Sequence, residues 1–137
     1  MTMHVTQLKE SGLKATFQRI QLLENIEKHG HMSIDALYEE VVKTYPSLSL
    51  ATVYKNITLM VEKSVLVEVP ISGKKSKYEL AKEDHMHLIC TECEEVIDKE
   101  HTPRVSSAFN SMAMQESFSL DRQQVNLYGI CTNCKGK

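Results

Sequence analysis

The residues with the greatest chemical potential in this chain are four cysteines in two pairs, Cys90-Thr91-Glu92-Cys93 and Cys131-Thr132-Asn133-Cys134, with none left over. Each C-x-x-C pair can grip one edge of a ligand tetrahedron from a single tight turn, and two such pairs separated by a folded segment match the thiolate geometry of structural Zn(II). The competing reading, a redox dithiol, requires one pair at a helix N-terminus inside a βαβ unit, and neither pair has that setting. A second group centres on His85-Met86-His87. Where the chain enters a strand, positions i and i+2 put both imidazoles on one face, and Cys90 has the opposite parity, so histidines and cysteines are expected to form separate sites. Glu79, Asp98 and His31 are further candidate oxygen and nitrogen donors. Three imidazoles and two carboxylates make a harder and more labile site than four thiolates, suited to Fe(II), Mn(II) or Zn(II). Spacing alone leaves the histidine pair open between ligands and ordinary strand residues, and it cannot recruit His31 and Glu79. His4, His29 and His101 read as solvated surface histidines.

The elements that must position these residues come from periodicity. Thr16 is a candidate N-cap for a helix with apolar Phe17, Ile20, Leu23 and Ile26 that stops at His29-Gly30. Ser33 caps a second, with Ile34, Leu37, Tyr38, Val41 and Val42 on its apolar face before Pro46. A third follows Ser49, with Leu50, Val53, Tyr54, Ile57, Met60 and Val61. From Val65 to Ile71 the period changes to two, Ser72 to Lys75 turn the chain, and Lys77 to Leu80 return it as a second strand. Three helices and a hairpin predict a winged helix-turn-helix over residues 1–80. The charged segment 81–84 is the candidate hinge, and residues 85–137 form the second domain. There, strands at His87–Cys90 and Glu95–Asp98 flank the cysteine turn. Thr102-Pro103 opens a helix whose Val105, Ala108, Phe109 and Met112 predict a buried face, with Met112 and Met114 as core and near-core residues. Phe118, Leu120, Val125, Leu127 and Gly129 return to strand spacing. The expected fold class is α+β throughout: a winged helix followed by a small α/β dimerisation domain with a four-cysteine zinc site.

Composition bounds these readings. An apolar fraction of 42% with 25% charged residues is that of a folded globular chain, so wholesale disorder is excluded. No apolar run approaches membrane length and Met1–Glu10 has no apolar leader region, so a cytoplasmic protein without membrane contact is expected. The net charge of −2 divides unevenly: residues 1–80 hold ten Lys/Arg against nine Asp/Glu, and 81–137 six against nine. Any nucleic-acid contact therefore belongs to the first half.

Against this background the chain resembles the ferric uptake regulator family over nearly its whole length. The resemblance rests on Gly12-Leu13-Lys14-Ala15-Thr16 with Arg19, on Ser49 to Ile57, on Asp84 to Cys90 and on Leu127 to Cys131. It implies a homodimer that binds AT-rich inverted repeats in double-stranded DNA, with the helix from Leu50 to Lys63 in the major groove, Tyr54 on thymine methyls, Lys55 on bases or phosphate and Lys14 in a minor groove. Arg19, Ser49 and Thr52 complete the implied DNA set. By spacing alone, Tyr54 could equally be helix core. The resemblance also places a regulatory Fe(II) or Mn(II) site on His31, Glu79, His85, His87 and Asp98, beside structural Zn(II) on Cys90, Cys93, Cys131 and Cys134. Asp98 is similar to the peroxide-sensing branch, in which a ligand histidine, here His31 or His85, is oxidised. Glu79 stands where that branch usually has Asp, so an iron or zinc uptake regulator is the alternative. A further site found in some relatives is expected to be absent, since its positions read Met86 and Gln123. A hydrolytic metalloenzyme is a remote reading, because no general base is evident beside an open metal position.

Overall fold

The computed structural model describes residues 3–71, 73–82 and 85–136. They form two compact units, Met1–Ala81 and Lys82–Lys137. Ser72 of the expected turn and Glu83 and Asp84 of the expected hinge lie outside the described residues.

The first unit runs α1 (Met3–Glu10), α2 (Phe17–His29), β1 (Met32–Ser33), α3 (Ile34–Val41), α4 (Leu50–Glu62), β2 (Leu66–Val69) and β3 (Lys77–Leu80). Three helices begin at side-chain caps, which satisfy backbone donors that have no partner in a first turn. Thr16 accepts from the Arg19 amide, Ser33 from Ala36 and Ser49 from Thr52. Leu22, Leu23 and Ile26 of α2, Leu37 and Val41 of α3, and Val53, Ile57 and Met60 of α4 bury one stripe each into a common core, closed by Leu8, Val65 and Leu66. The sheet order β1-β3-β2 makes this a winged helix, with β2 and β3 as the antiparallel wing.

Several expectations need correction here. The first helix, α1, was not legible: its single fully buried Leu8 and the buried His4 give too little periodic signal, and His4 is only 4% exposed. His4 is therefore no surface histidine; its Nε2 lies 3.1 Å from Glu27 Oε1 on α2. Phe17 is exposed and Leu22 takes its place on the buried face of α2. Strict alternation from Val65 fails because Val65 and Leu66 are both buried: Val65 still belongs to the turn after α4, where its amide donates to the Met60 carbonyl.

The second unit contains β4 (His85–Cys90), β5 (Val96–Glu100), α5 (Pro103–Gln115), β6 (Val125–Gly129) and α6 (Thr132–Lys135). The order is β5-β4-β6, β5 antiparallel and β6 parallel to the central strand. Among the described residues of this unit only His87, Ile89 and Cys90 are buried. The predicted buried face of α5 is not found in the single chain: α5 has no buried residue, and Met112 and Met114 are 59% and 78% exposed, not core. The i, i+3, i+4 stripe identified an apolar face correctly, but a unit this small has no second layer to cover it. The sheet shows the same deficit. Register sets Leu88 opposite both Ile97 and Leu127, and this cross-strand row is exposed.

Candidate metal centres and nucleic-acid surface

Parallel pairing of β4 with β6 decides the cysteine geometry. Cys90 is in register with Gly129, so both strands end on the same side and both C-x-x-C turns leave from adjacent positions. The first turn closes through the Glu94 amide, which donates to the Cys90 carbonyl over 2.9 Å, with Glu94 itself in the left-handed region at φ 66°. The Thr91 amide donates to the Gly129 carbonyl over 2.9 Å and ties the two turns together. All four sulfurs lie within 4.8 Å of one another, and Cys93 and Cys131 are 3.7 Å apart. That is far beyond an S–S bond of about 2.05 Å. It matches the edge of about 3.8 Å that a tetrahedron with Zn–S of about 2.3 Å requires. The donors therefore fit zinc.

The electrostatics agree. Amides of Cys93 and Cys131 point at Cys90 Sγ over 3.5 and 3.3 Å. These two donors, Cys93 first, lower the Cys90 thiol to about 6. Cys134 is pushed up to about 12, chiefly because it shares a hydrogen with Cys131 and also through burial. One thiolate is ready and the last is strongly opposed, since four negative sulfurs cannot crowd together without a cation among them.

Each unit also brings together part of the expected regulatory set. In the first unit, β1 pairs with β3 with Met32 opposite Tyr78, which sets His31 across from Glu79 one step further on. His31 Nε2 and Glu79 Oε2 are 2.8 Å apart, and the Glu79 side chain is 1% exposed. The two-residue strand β1 was not legible in the sequence, yet it places His31.

In the second unit, His87 of β4 is paired with Asp98 of β5. Asp98 Oδ1 lies 3.5 Å from Nε2 of both His85 and His87, whose rings meet edge to face with centroids 4.5 Å apart. Two nitrogens and a carboxylate oxygen thus converge on one face of the sheet, while Cys90, at the opposite parity, joins the other cysteines. Lys82 Nζ holds the other Asp98 oxygen at 2.9 Å. His87 is 1% exposed, and its Nδ1 donates to Asn126 Oδ1 over 2.8 Å. That bond places the proton on Nδ1 and leaves the Nε2 lone pair toward Asp98, the arrangement a metal-binding imidazole needs. Asn126 was missed by the sequence reading. Its only signal was a polar residue between Val125 and Leu127.

The described DNA-contact candidates all lie on the first unit. Tyr54 is 42% exposed, on the flank of the stripe formed by Val53, Ile57 and Met60, and Lys55 is exposed, so the core reading of Tyr54 is set aside. Lys14 is exposed in the loop before α2. The Ser49 hydroxyl and Thr52 Oγ1 are 2.9 Å apart at the α4 cap. Among the described residues no helix is long and apolar enough to cross a membrane.

Comparison with known proteins places this arrangement among relatives. The family model described as the ferric uptake regulator family matches residues 10–128. A ferric uptake regulation protein of Neisseria gonorrhoeae is 30% identical over 98% of this chain and 94% of its own length. A peroxide-responsive repressor of Staphylococcus saprophyticus is 26% identical over 97% of this chain and 90% of its own. The crystal structure of a Campylobacter jejuni peroxide stress regulator superposes with a TM-score of 0.79 at 33% identity, covering 98% of this chain and all of that one.

Proposed function

The chain belongs to the ferric uptake regulator family, metal-responsive transcription regulators and not enzymes, and from that premise we propose that it is a peroxide-responsive repressor that needs Fe(II) or Mn(II) to bind AT-rich inverted repeats as a cytoplasmic homodimer. The observation that carries this reading is the cluster of Asp98 with His85 and His87, a short carboxylate set 3.5 Å from two imidazole nitrogens. Such a nitrogen and oxygen set holds first-row divalent ions loosely enough to exchange, unlike the four thiolates. The relatives named as peroxide regulators support the same choice.

In this reading the His31–Glu79 pair of the winged helix and the His85, His87, Asp98 cluster close on one ion, with the segment 81–84 as hinge. The Cys90, Cys93, Cys131 and Cys134 cluster holds Zn(II) permanently and fastens the second domain. Inverting a population from about 1:99 to 99:1 takes a preference of roughly 5.5 kcal/mol for the closed state, within reach of several ligand bonds formed together. An iron held there would supply redox chemistry toward hydrogen peroxide. His31 and His85, as its ligands, would be the side chains exposed to it: a ring C–H would become C–OH as one hydrogen peroxide is reduced to water, and the altered ring would be a poorer donor. The dimer follows from surface left uncovered: the α5 stripe and the Ile97–Leu88–Leu127 row face solvent in one chain, and a second copy covers both. Tyr54, Lys55 and Lys14 supply base, phosphate and minor-groove contacts in turn.

One observation favours a second reading, an iron or zinc uptake regulator: Glu79, buried beside His31, is the longer carboxylate, and the Neisseria relative is named for ferric uptake. One experiment separates the two. Operator binding is measured with Fe(II) or Mn(II), before and after hydrogen peroxide, followed by mass spectrometry of the peptides bearing His31 and His85. The expected result is release of the iron form with one added oxygen while the manganese form stays bound. Iron-loaded protein that keeps its DNA and its histidines through peroxide establishes the uptake reading instead.

A further inference from the structure

Arg19 belongs to the basic set implied in DNA contact, but two of its guanidinium nitrogens are engaged within the protein. It is half-buried in the first turn of α2, where its amide donates to Thr16 Oγ1 over 3.2 Å, so the capped helix start fixes its place. Its Nε donates to Asn56 Oδ1 over 3.0 Å and its Nη1 to the Lys14 carbonyl over 3.0 Å. Asn56 Nδ2 donates in turn to the Thr52 carbonyl over 3.1 Å, which holds the amide with its oxygen toward the guanidinium. Two of the three guanidinium nitrogens are thereby engaged by the protein itself. They bridge the loop that carries exposed Lys14 to the helix that carries exposed Tyr54 and Lys55.

We propose that Arg19 is a positioning residue that locks the Lys14 loop to α4 through Asn56, so that the minor-groove and major-groove contacts keep a fixed register. The lock rests on the DNA-binding reading above. It needs arginine: the planar fork presents donors in set directions to two acceptors at once, whereas a lysine ammonium on a flexible stem keeps the charge without that geometry. A phosphate contact would behave differently, because it contributes charge neutralisation that any duplex receives equally.

The test uses the full-length zinc-loaded protein with Mn(II) and a duplex enriched by that protein from a randomised pool, alongside a scrambled duplex of the same composition. Arg19→Lys, Asn56→Ala and the double variant are compared by fluorescence anisotropy over a salt series. Amide hydrogen exchange of residues 13–16 is measured without DNA. Each single variant is expected to lose about tenfold in affinity for the enriched duplex, the effect of one base contact slipping from register. Affinity for the scrambled duplex and the salt slope stay at the parent values. The double variant is no worse than either single, because both break one network. Exchange at 13–16 quickens in Arg19→Lys while the amides of α2 and α4 stay protected, which also shows the variant to be folded. Parent-like discrimination together with parent-like exchange overturns the proposal. So does an Arg19→Met variant that weakens both duplexes equally and lowers the salt slope by about 0.9, the signature of a lost phosphate contact. If the parent protein enriches no duplex at all, the DNA-binding reading falls and takes the positioning role with it, while faster exchange at 13–16 would still register the lock.

Discussion

Replacing Asn126 with alanine isolates the preparation of the metal site from its ligands. The side chain removed touches no expected metal position; it accepts the Nδ1 hydrogen of His87 over 2.8 Å. His87 is 1% exposed, so truncating Asn126 takes away the protein's own acceptor for a largely buried donor. Leaving a buried donor unsatisfied costs about 1–3 kcal/mol of folding stability. The loss at the metal is separate: without the bond the imidazole is free to carry its proton on Nε2, the nitrogen that faces Asp98, and such supporting partners are worth about 10–100-fold in metal affinity. That range corresponds to roughly 1.4–2.7 kcal/mol. Mn(II) titration calorimetry of Asn126→Ala should show this weakening, with His85→Ala as the reference for loss of a direct ligand. Zinc content, measured by atomic absorption, should be unchanged in both. Mn(II) affinity within about threefold of the parent, together with a clear loss of stability, would refute the reasoning: Asn126 would then brace the sheet without preparing a ligand.

Two further outcomes follow. The zinc-free protein should titrate with a defined sign: the two amides that face its sulfur lower the Cys90 thiol from 9.0 to about 6, so this thiolate is present above that pH and is lost as pH falls through about 6. Thiolate absorbance at about 240 nm of the zinc-free protein should show one of the four thiols titrating in that window and absent in Cys90→Ser, whereas four thiols titrating together near the ordinary cysteine range would mean that the amides do not set the thiolate. Leu88→Lys places a charge in the middle of the exposed Ile97–Leu88–Leu127 row, so light scattering should show monomers at micromolar concentration, and an undisturbed dimer would remove this sheet face from the interface.

Much of the cysteine site was legible because it depends on local geometry alone. A C-x-x-C turn presents two sulfurs whatever surrounds it, and strand parity separates Cys90 from His85 and His87 before any fold is known. The caps Thr16, Ser33, Ser49 and Thr102 were legible for the same reason, each accepting a bond from an amide three residues on. The misplaced elements have the opposite character. Helix α1 is held by Leu8 and His4 against other elements, and β1 exists only by pairing with β3. The α5 stripe was read correctly as apolar and wrongly as buried, because periodicity reports which face avoids water and says nothing of what covers it.

By itself, then, the sequence determined the two cysteine knuckles, the shared face of His85 and His87, the winged-helix order of elements and the family. Tertiary structure alone decided that parallel pairing of β4 with β6 sets the knuckles side by side, that His31 stands across from Glu79, that Asn126 fixes the His87 proton, and that the Arg19 fork is shared between Asn56 and the Lys14 carbonyl. The physical reason is range. Turns, caps and parity are set within a few residues by backbone geometry, whereas register between strands and the direction of a buried donor are settled only when residues far apart in the chain are brought together and each must satisfy the other.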